Sequence, residues 1–308
     1  MAEARYLSVK DLDAADTLAV LGLAARLKRE QKQGVPHPRL AGRTLAMIFQ
    51  KPSLRTRVSF EVGMTQLGGH AIYLGPSDIK LGERETVEDI ALTISRMCDL
   101  IMARVFGHDI VAGLAQHATV PVINALSDRE HPCQILADLQ TIMERKGRFE
   151  GLKAVFVGDG NNVAQSLVYG GALLGMSVTV ACPEGYDPDA GLVADARAIG
   201  KGTGAVIEVS HDPRAAARGA DVLYTDVWAS MGQESEAAQR KNAFAGFQID
   251  AGLTAAAKPD ATILHCLPAH YGEEIDYAVS RTPNSAIFDQ AENRLHAQKA
   301  LMVHLMGA

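Results

Sequence analysis

The chain has 308 residues, and its 30 Lys and Arg against 36 Asp and Glu give a formal net charge of -6. This length predicts about two domains, and the negative charge argues against nucleic acid as a partner, because binding to a phosphate backbone needs a basic surface. The sequence has no apolar run near the roughly 18 to 20 residues that cross a membrane. Residues 1–6 lack the basic and apolar regions of a signal peptide, so we expect a cytoplasmic protein without membrane contacts.

The four cysteines lie far apart and form no Cys-x-x-Cys pair. They are Cys98, Cys133, Cys182 and Cys266. This spacing favours buried thiols in a reducing compartment over a disulfide framework or a structural zinc site.

Short apolar runs alternate with longer amphipathic segments along the chain, a pattern typical of βαβ units in parallel sheets. In the first half the predicted strands are 43–49, 70–74, 100–103 and 120–124. In the second half they are 153–157, 177–181, 206–209, 222–225, 262–265 and 285–288. The predicted fold class is therefore α/β, with two domains that each contain a parallel sheet flanked by helices.

Three helices are clear from the sequence. One follows Ser53 and carries apolar residues near 3.6-residue spacing. The second is 132–146, which begins with a proline, ends before Gly147 and is expected to join the two domains. The third is 291–306, whose amphipathic pattern allows it to pack on either domain. The segment 146–151 separates the two sets of strands, so we place the domain boundary there.

Ligands of open parallel sheets bind beyond the carboxyl ends of the strands, so polar residues that follow an apolar run are candidate site residues. Residues 51–57 read Lys-Pro-Ser-Leu-Arg-Thr-Arg and place Ser53, Arg55 and Thr56 at the start of a helix. The unpaired N–H groups of a helix N-terminus carry about half a positive charge, and these side chains add donors that suit a phosphate. The alternative interpretation is a helix cap followed by solvated arginines.

Arg104 follows the apolar run 100–103, where its guanidinium can hold a phosphate or carbonyl oxygen. A surface ion pair is the alternative. His131 and Gln134 lie one turn apart at the start of the helix 132–146, so both can face one ligand. The helix dipole disfavours an imidazolium, so we expect His131 to be a neutral hydrogen-bond donor. The alternative is a histidine that merely stands at the N-terminus of the helix and binds no ligand.

Gly158 and Gly160 follow a predicted strand and suggest a dinucleotide-binding loop. The pattern is incomplete, because Val163 stands at the third glycine position. The polar residues Asn161 and Asn162 also occupy the place where a pyrophosphate would press against the backbone. A dinucleotide-binding oxidoreductase is therefore a remote alternative.

Asp226 ends the predicted strand 222–225, and Ser230 and Met231 follow in a loop. A carboxylate and a hydroxyl suit an amino-acid zwitterion, because the carboxylate pairs with an ammonium. A turn or cap role is the alternative for Asp226. His265 and Cys266 end another strand, but neighbouring strand residues face opposite sides, which argues against a thiolate–imidazole couple.

Together these motifs resemble those of the aspartate/ornithine transcarbamoylase family over essentially the whole chain, and most of all its ornithine-using members. The motifs are residues 51–61, 131–134, 158–162, 226–232, 265–269 and 292–294, together with Arg104. The resemblance implies that the side-chain amine of ornithine attacks the carbonyl carbon of carbamoyl phosphate, giving citrulline and phosphate through a tetrahedral intermediate. It implies no metal and no organic cofactor.

The resemblance also implies a set of site residues. Carbamoyl phosphate would contact Ser53, Leu54, Arg55, Thr56, Lys80, Arg104, His131, Gln134, Cys266, Leu267 and Arg294. Ornithine would contact Asn162, Asp226, Ser230 and Met231. The residues implied in catalysis are Arg104, His131, Gln134, Asp226 and Cys266. Because Arg294 would reach the carbamoyl phosphate, the final helix returns to the first domain. That domain then comprises residues 1–146 plus 290–308, and the ornithine domain comprises residues 147–289.

Two residues depart from the family pattern. Leu54 replaces a threonine, but its backbone N–H survives, so we expect the phosphate loop to work. Lys80 stands where ornithine enzymes often carry Gln or His, and a lysine there is typical of the aspartate enzymes. In this family that loop crosses to a neighbouring subunit, which implies a homotrimer, or a multiple of it, with shared sites.

Three alternatives to an ornithine enzyme stay open. A carbamoyltransferase could act on another amine, such as aspartate or putrescine, but the loop after Asp226 has no arginine for a second substrate carboxylate. A phosphate-binding protein without chemistry would use the Ser53 loop alone and leave His131, Gln134 and Asp226 unexplained. The dinucleotide-binding oxidoreductase is the third.

Overall fold

The computed structural model describes residues 5–81, 84–229 and 234–308. The chain forms two compact units: Met1–Gln140 with Glu292–Ala308, and Thr141–Ala291. Both divisions fall within helices, so the chain passes between units along α-helical backbone.

A parallel sheet of five strands forms the centre of the first unit. The strands are β1 (Arg5–Tyr6), β2 (Thr44–Phe49), β3 (His70–Leu74), β4 (Leu100–Arg104) and β5 (Val122–Leu126), in the order β1-β5-β4-β2-β3. The helices are α1 (Ala14–Lys32), α2 (Leu54–Gln66), α3 (Pro76–Ile79), α4 (Val87–Ile94) and α5 (His108–His117), with a 3₁₀ turn at Val9–Asp11. β4 and β5 are buried along their whole length, as expected for parallel strands covered on both faces.

The second unit repeats this plan. Its strands are β6 (Lys153–Val157), β7 (Ser177–Ala181), β8 (Ile207–Ser210), β9 (Val222–Thr225) and β10 (Thr262–His265), all parallel and in the order β10-β9-β6-β7-β8. Its helices are α7 (Asn162–Leu174), α8 (Ala190–Thr203), α9 (Pro213–Ala217), α10 (Ala237–Ala243) and α11 (Ala251–Ala256), with 3₁₀ turns at Glu234–Glu236 and Val279–Arg281. The predicted α/β class with two parallel-sheet domains is confirmed.

Two long helices contain the divisions between the units. They are α6 (Pro132–Lys146) and α12 (Ile287–Met306). The C-terminal part of α12 belongs to the first unit, where Ala297, Leu301 and Met302 join a buried cluster with Phe60 of α2. The predicted return of the last helix to the first domain is therefore confirmed. In the part of the chain that the structure describes, no helix combines the length and apolar character needed to cross a membrane.

Each sheet contains one switch point, where consecutive strands lie on opposite sides of the same strand. The loops at this point therefore lead to opposite sides of the sheet. In the first sheet, β3 lies on one side of β2 and β4 on the other. In the second sheet, β7 lies on one side of β6 and β9 on the other. Open parallel sheets bind ligands at such switch points, beyond the carboxyl ends of the strands. The strand order therefore predicts ligand binding at the loops that follow β2, β4, β6 and β9.

The prediction of a strand at 285–288 is wrong, and the strand β1 was not predicted. Residues 285–288 do not form a strand: Ser285 makes a single bridge with Ile263, and α12 begins at Ile287. The short apolar run there belongs to the first turn of a helix, which periodicity cannot distinguish from a short strand. The strand β1 pairs with β5 over two residues, too few to produce an alternating pattern.

Burial of His296 on α12 predicts a loss of stability in mild acid. Burial first, and then the cation of Lys299, lowers the pKa of His296 to about 4, whereas an unfolded histidine has a pKa of about 6.5. Between these values only the unfolded chain gains the proton, so the free energy of unfolding falls as pH falls through this window. At about pH 5 we expect His296 to cost roughly 2 kcal/mol, measured as the difference from pH 7 in urea unfolding.

His296→Gln should abolish this part of the pH dependence. The matched control is Met306→Gln at a partly exposed position of the same helix, which changes no ionisable group and should leave the slope unchanged. Equal slopes for the wild type and His296→Gln would contradict the assignment.

Candidate active site

The first part of the candidate site lies where β2 ends and α2 begins. Ser53 is the N-cap of α2: its Oγ accepts a hydrogen bond from the Thr56 N–H at 3.3 Å and lies 3.1 Å from Thr56 Oγ1. Leu54, the first helical residue, is 75% exposed, so it offers the site its backbone. The N–H groups of a first helical turn have no carbonyl partner within the helix. This turn, with Arg55 in it, therefore suits an oxyanion.

A buried network connects this turn to α6 and α12. Arg294 donates from Nη1 to Gln134 Oε1 at 2.7 Å, from Nη2 to Thr56 Oγ1 at 3.4 Å and from Nε to Gln298 Oε1 at 2.7 Å. Gln134 donates from Nε2 to Asp138 Oδ1 at 2.8 Å. The structure thus brings the predicted site residues Thr56, Gln134 and Arg294 into one hydrogen-bonded group. Their side chains are almost fully buried and held in place before any ligand binds.

Arg104 ends β4, on the side of the sheet that also carries the loop after β2. The register of β4 against β5 shifts between Ala103 and Arg104, and such irregularities near sites re-aim a side chain. The residue is buried, and its carbonyl oxygen accepts a hydrogen bond from the Gln50 N–H at 2.9 Å. The strand end and the loop after β2 are therefore joined directly.

Four cationic side chains act on His131. Burial lowers the pKa of His131 well below its usual value, and the charges of Arg294, Arg104, Arg55 and Lys51 lower it further. Burial and then Arg104 also lower the pKa of Lys51. His131 is therefore a neutral imidazole among cations, and a dianion such as a phosphoryl group would relieve their mutual repulsion. No role was predicted for Lys51 from the sequence, although Lys51 is the first residue of the motif that contains Ser53.

Lys80 lies apart from this buried group. It is the exposed C-cap of α3, with a left-handed backbone (φ 44°). Within residues 5–81 and 84–229, no hydrogen bond or ion pair joins Lys80 to the Ser53 turn. Its predicted role depends on a neighbouring subunit.

The second part of the candidate site lies at the carboxyl ends of β6 and β9. Asn161 is the N-cap of α7: its Oδ1 accepts hydrogen bonds from the N–H groups of Val163 and Ala164 at 3.0 and 3.1 Å. Its Nδ2 donates to Asp226 Oδ2 at 2.9 Å. Asn162, which the resemblance selected, is the first residue of α7. A helix cap thus holds the Asp226 carboxylate beside Asn162.

Cys266 donates a hydrogen bond to the Asp226 carboxylate. Its Sγ donates to Asp226 Oδ1 at 2.9 Å. His265 uses both ring nitrogens elsewhere: Nδ1 accepts from the Leu267 N–H, and Nε2 lies 2.9 Å from Glu274 Oε1. The sequence argument against a thiolate–imidazole couple agrees with these contacts. Leu267 has a left-handed backbone (φ 60°), which turns the chain directly after Cys266.

An ion pair between Arg240 and Asp159, which the sequence did not predict, contacts the segment after β9. Arg240 donates from Nη1 to Asp159 Oδ2 at 2.8 Å and to the Trp228 carbonyl oxygen at 2.9 Å, and from Nε to Glu236 Oε2 at 2.9 Å. Burial raises the pKa of Asp159, Arg240 opposes that shift, and Asp226 adds to it. Arg240 thus joins the loop after β6 to the segment that follows Asp226. A separation of 81 residues between its two ends left no local signal in the sequence.

The glycines after β6 are used for internal packing. The Gly160 N–H donates to the Tyr186 carbonyl oxygen at 2.9 Å. A Cβ at position 160 would collide with the backbone of Asp187 and Pro188. Since the neighbouring loop covers Gly160, its missing side chain does not serve a pyrophosphate, which weakens the dinucleotide alternative.

Gly160→Ala should therefore lower the free energy of unfolding by about 1–3 kcal/mol, the usual cost of overpacking. Urea unfolding at neutral pH measures this effect. Gly202→Ala is the matched control, because position 202 lies in α8 with no atom within 4 Å of an added Cβ. Alanine there should stabilise the protein by about 0.5–1 kcal/mol, and equal effects at both positions would contradict the packing argument.

The structure leaves part of the predicted site undescribed. Ser230 and Met231 lie outside the described residues. Of the remaining predicted residues, Ser53, Leu54, Arg55, Thr56, Arg104, His131, Gln134 and Arg294 lie in the first unit. Asn162, Asp226, Cys266 and Leu267 lie in the second.

Comparison with known proteins gives consistent matches along the chain. Residues 5–144 match the family model of the aspartate/ornithine carbamoyltransferase carbamoyl-P binding domain, and residues 150–305 match that of the Asp/Orn binding domain. An ornithine carbamoyltransferase of Thermococcus kodakarensis is 54% identical over 301 residues, covering 98% of this chain and 96% of the relative. The Pyrococcus furiosus protein named "Ornithine carbamoyltransferase, anabolic" is also 54% identical, with the same coverage.

A solved structure also matches this chain over nearly its whole length. The ornithine carbamoyltransferase structure from Pyrococcus furiosus superposes with a TM-score of 0.97 at 53% identity, and the match covers 99% of this chain and 97% of that one.

Proposed function

The chain belongs to the aspartate/ornithine carbamoyltransferase family, and we propose that it transfers the carbamoyl group of carbamoyl phosphate to the side-chain amine of L-ornithine. The products are L-citrulline and phosphate. The observation that carries this proposal is the buried group of Thr56, Gln134 and Arg294 beside the neutral His131. A phosphate-binding protein needs the Ser53 turn but not these directed donors.

In the proposed reaction the first unit binds carbamoyl phosphate. The Ser53 turn, with the backbone of Leu54 and the side chains of Arg55 and Thr56, holds the phosphoryl group. Arg104, His131 and Gln134 hold the carbamoyl oxygen and amide, and Arg294 binds beside Gln134. The backbone carbonyls of Cys266 and Leu267 accept from the carbamoyl NH₂.

The chemical step is an acyl transfer. The neutral amine nitrogen forms a bond to the carbonyl carbon, whose π electrons move onto oxygen and give a tetrahedral intermediate. Arg104 and His131 donate hydrogen bonds to this oxyanion, the kind of interaction that dominates such catalysis. The carbon–oxygen bond to the phosphoryl group then breaks, its electron pair leaves with phosphate, and the departing phosphate takes the proton that the nitrogen loses. Because His131 is neutral, it acts by donating its N–H and keeps its proton throughout.

In the second unit, Asp226 supplies the specificity for the amine. Its carboxylate accepts hydrogen bonds from Asn161 and Cys266 and attracts a substrate ammonium. It would repel the second carboxylate of aspartate. Together with Asn162, Ser230 and Met231 we assign it to ornithine. A diamine such as putrescine lacks the carboxylate that the neutral donors of this group would bind.

We also propose a cytoplasmic homotrimer, or a multiple of it, working towards arginine biosynthesis. The name of the Pyrococcus furiosus relative supports the biosynthetic direction. An exposed apolar stripe supports a second copy on this face of the first unit. It consists of Leu54, Val58 and Val62 at four-residue spacing on α2, beside Ile72 on the edge strand β3. Sedimentation equilibrium tests this assembly, and a monomeric mass would contradict it.

The proposed reaction is tested by measuring phosphate and carbamoyl-product release in parallel tubes. Each tube contains carbamoyl phosphate with ornithine, aspartate, putrescine or no amine. We expect equal amounts of citrulline and phosphate with ornithine only. Turnover only with another amine would overturn the assignment of Asp226, and no turnover in any tube would favour the phosphate-binding alternative.

A further inference from the structure

Three groups of His, Cys, Asp and Glu side chains converge within the described residues, and two of them have no place in the proposed reaction. The group at Asp226 contains Cys266 and belongs to the amine-binding part. A second group, at His270, has no thiol. The third consists of Cys182, Asp187 and His211, and its Asp187 lies in the loop that covers Gly160.

The topology of the sheet brings this third group together. Cys182 directly follows β7, and His211 directly follows β8, the neighbouring edge strand. Asp187 lies in the loop between β7 and α8. Because parallel strands end at the same edge, residues from the two loops that follow β7 and β8 meet at one point.

The distances match those of a metal site before any ion binds. Cys182 Sγ lies 3.7 Å from Asp187 Oδ1, and His211 Nε2 lies 3.8 Å from the same oxygen. All the ligand atoms lie within 4.8 Å of one another. Tetrahedral zinc with ordinary bond lengths separates sulfur from oxygen by about 3.6 Å and nitrogen from oxygen by about 3.4 Å. Shifts of roughly half an ångström would therefore complete the geometry for these two pairs.

The orientation of His211 is fixed by a hydrogen bond typical of metal ligands. Its Nδ1 lies 2.9 Å from the Cys182 carbonyl oxygen. A carbonyl only accepts, so Nδ1 carries the hydrogen, and in a neutral ring the lone pair is then on Nε2, which faces Asp187. Histidines that bind metals commonly donate their other N–H to a backbone carbonyl in this way.

We propose that Cys182, Asp187 and His211 bind one Zn²⁺ ion, with water as the fourth ligand. A thiolate, an imidazole and a carboxylate suit this ion, whereas Mg²⁺ and Ca²⁺ prefer oxygen ligands alone. The sulfur–zinc bond forms as the thiol releases its proton to solvent, so two anionic ligands neutralise the ion. Solvent reaches the site through Asp187 and His211, whose side chains are each 45% exposed, while Cys182 is buried.

Before an ion binds, the thiol stays protonated. Burial raises the pKa of Cys182 to about 12, and Asp187 contributes to the shift. Binding also affects the loop between β7 and α8. Asp187 is flanked by Tyr186 and Pro188, which contact Gly160, so an ion would hold the loop that covers the turn after β6.

Cobalt titration of the purified, metal-free full chain tests this site, because a thiolate bound to Co²⁺ gives a charge-transfer band in the near ultraviolet. We expect one equivalent of Co²⁺ to produce the band and Zn²⁺ to remove it by competition. Cys182→Ser and His211→Asn should each abolish the band. Cys98→Ser, at a partly exposed cysteine, and Cys266→Ser should keep it.

Two results would overturn the proposal: no band in the wild type, or a band that persists in Cys182→Ser. If that persistent band is lost in Cys266→Ser, the ion binds at Asp226. The two ligand variants act independently, so His211→Asn still decides the question if Cys182→Ser fails to fold, as judged by circular dichroism. Because none of these readouts uses turnover, the result does not depend on the proposed reaction.

Discussion

Replacing Arg104 by alanine is expected to lower kcat/KM for carbamoyl phosphate by about a thousandfold, or about 4 kcal/mol. The side chain is buried at the carboxyl end of β4 and contributes to the field that keeps His131 neutral. In the proposed reaction it donates to the oxygen that gains negative charge in the transition state. Its loss removes an interaction that strengthens as the reaction proceeds, so kcat should fall as well as kcat/KM.

The fold should tolerate this substitution. The cations of Arg55, Arg294 and Lys51 act on the same region as Arg104, and removing one charge relieves repulsion that offsets the lost packing. We expect the free energy of unfolding to change by no more than about 1 kcal/mol.

Arg96→Ala is the matched control. Arg96 is exposed and precedes β4, at the opposite end of the strand from Arg104. Steady-state kinetics of this variant should match the wild type. Near-normal turnover in Arg104→Ala would remove the carbamoyl-oxygen assignment, and equal losses in both variants would indicate a general defect.

Asp226→Asn should reduce kcat/KM for ornithine by about a hundredfold or more while leaving carbamoyl phosphate binding nearly unchanged. The substitution conserves shape but removes the charge that attracts the substrate ammonium, and charged hydrogen bonds contribute about 1.5–3 kcal/mol. It also replaces an acceptor that now receives bonds from Asn161 and Cys266.

Initial rates at varied ornithine, together with calorimetric binding of carbamoyl phosphate, separate these effects. Asp260→Asn is the control, since its exposed carboxylate pairs with Lys146 before β10, far along the strand from Cys266. Unchanged ornithine kinetics in Asp226→Asn would contradict the amine assignment. Weakened carbamoyl phosphate binding would show that Asp226 acts on the other substrate.

Local patterns predicted most of the fold. The strands β3, β6, β7, β9 and β10 have the predicted bounds because each is an apolar run bounded by polar or turn residues. The helix α6 also matches, with a proline at its start and a glycine after its end. These signals depend on a few neighbouring residues, so the sequence contains them in full.

The order of the strands and the long-range polar contacts could not be predicted in this way. The pairing of Gln134 with Arg294 spans 160 residues, and the pairing of Asp159 with Arg240 spans 81. Each requires the sheet order to be known first. Likewise, β2 and β6 become switch points only once β4 and β9 lie beside them.

The pKa of His131 likewise depends on both local and long-range features. A helix N-terminus predicts a neutral imidazole from sequence. The larger causes are burial and the cations of Arg294 and Arg104, and Arg294 comes from the last helix of the chain. The sequence therefore predicted the same direction of the pKa shift of His131, but from a different cause.

The most direct test of the central claim is to follow the new bond itself. Carbamoyl phosphate labelled at its carbonyl carbon with the heavy carbon isotope is incubated with ornithine labelled at its side-chain nitrogen with the heavy nitrogen isotope. We expect nuclear magnetic resonance of the product to show one-bond coupling between the labelled carbon and the side-chain nitrogen, with one phosphate released per coupled product. No coupling, or coupling only when the α-nitrogen of ornithine carries the label, would contradict it.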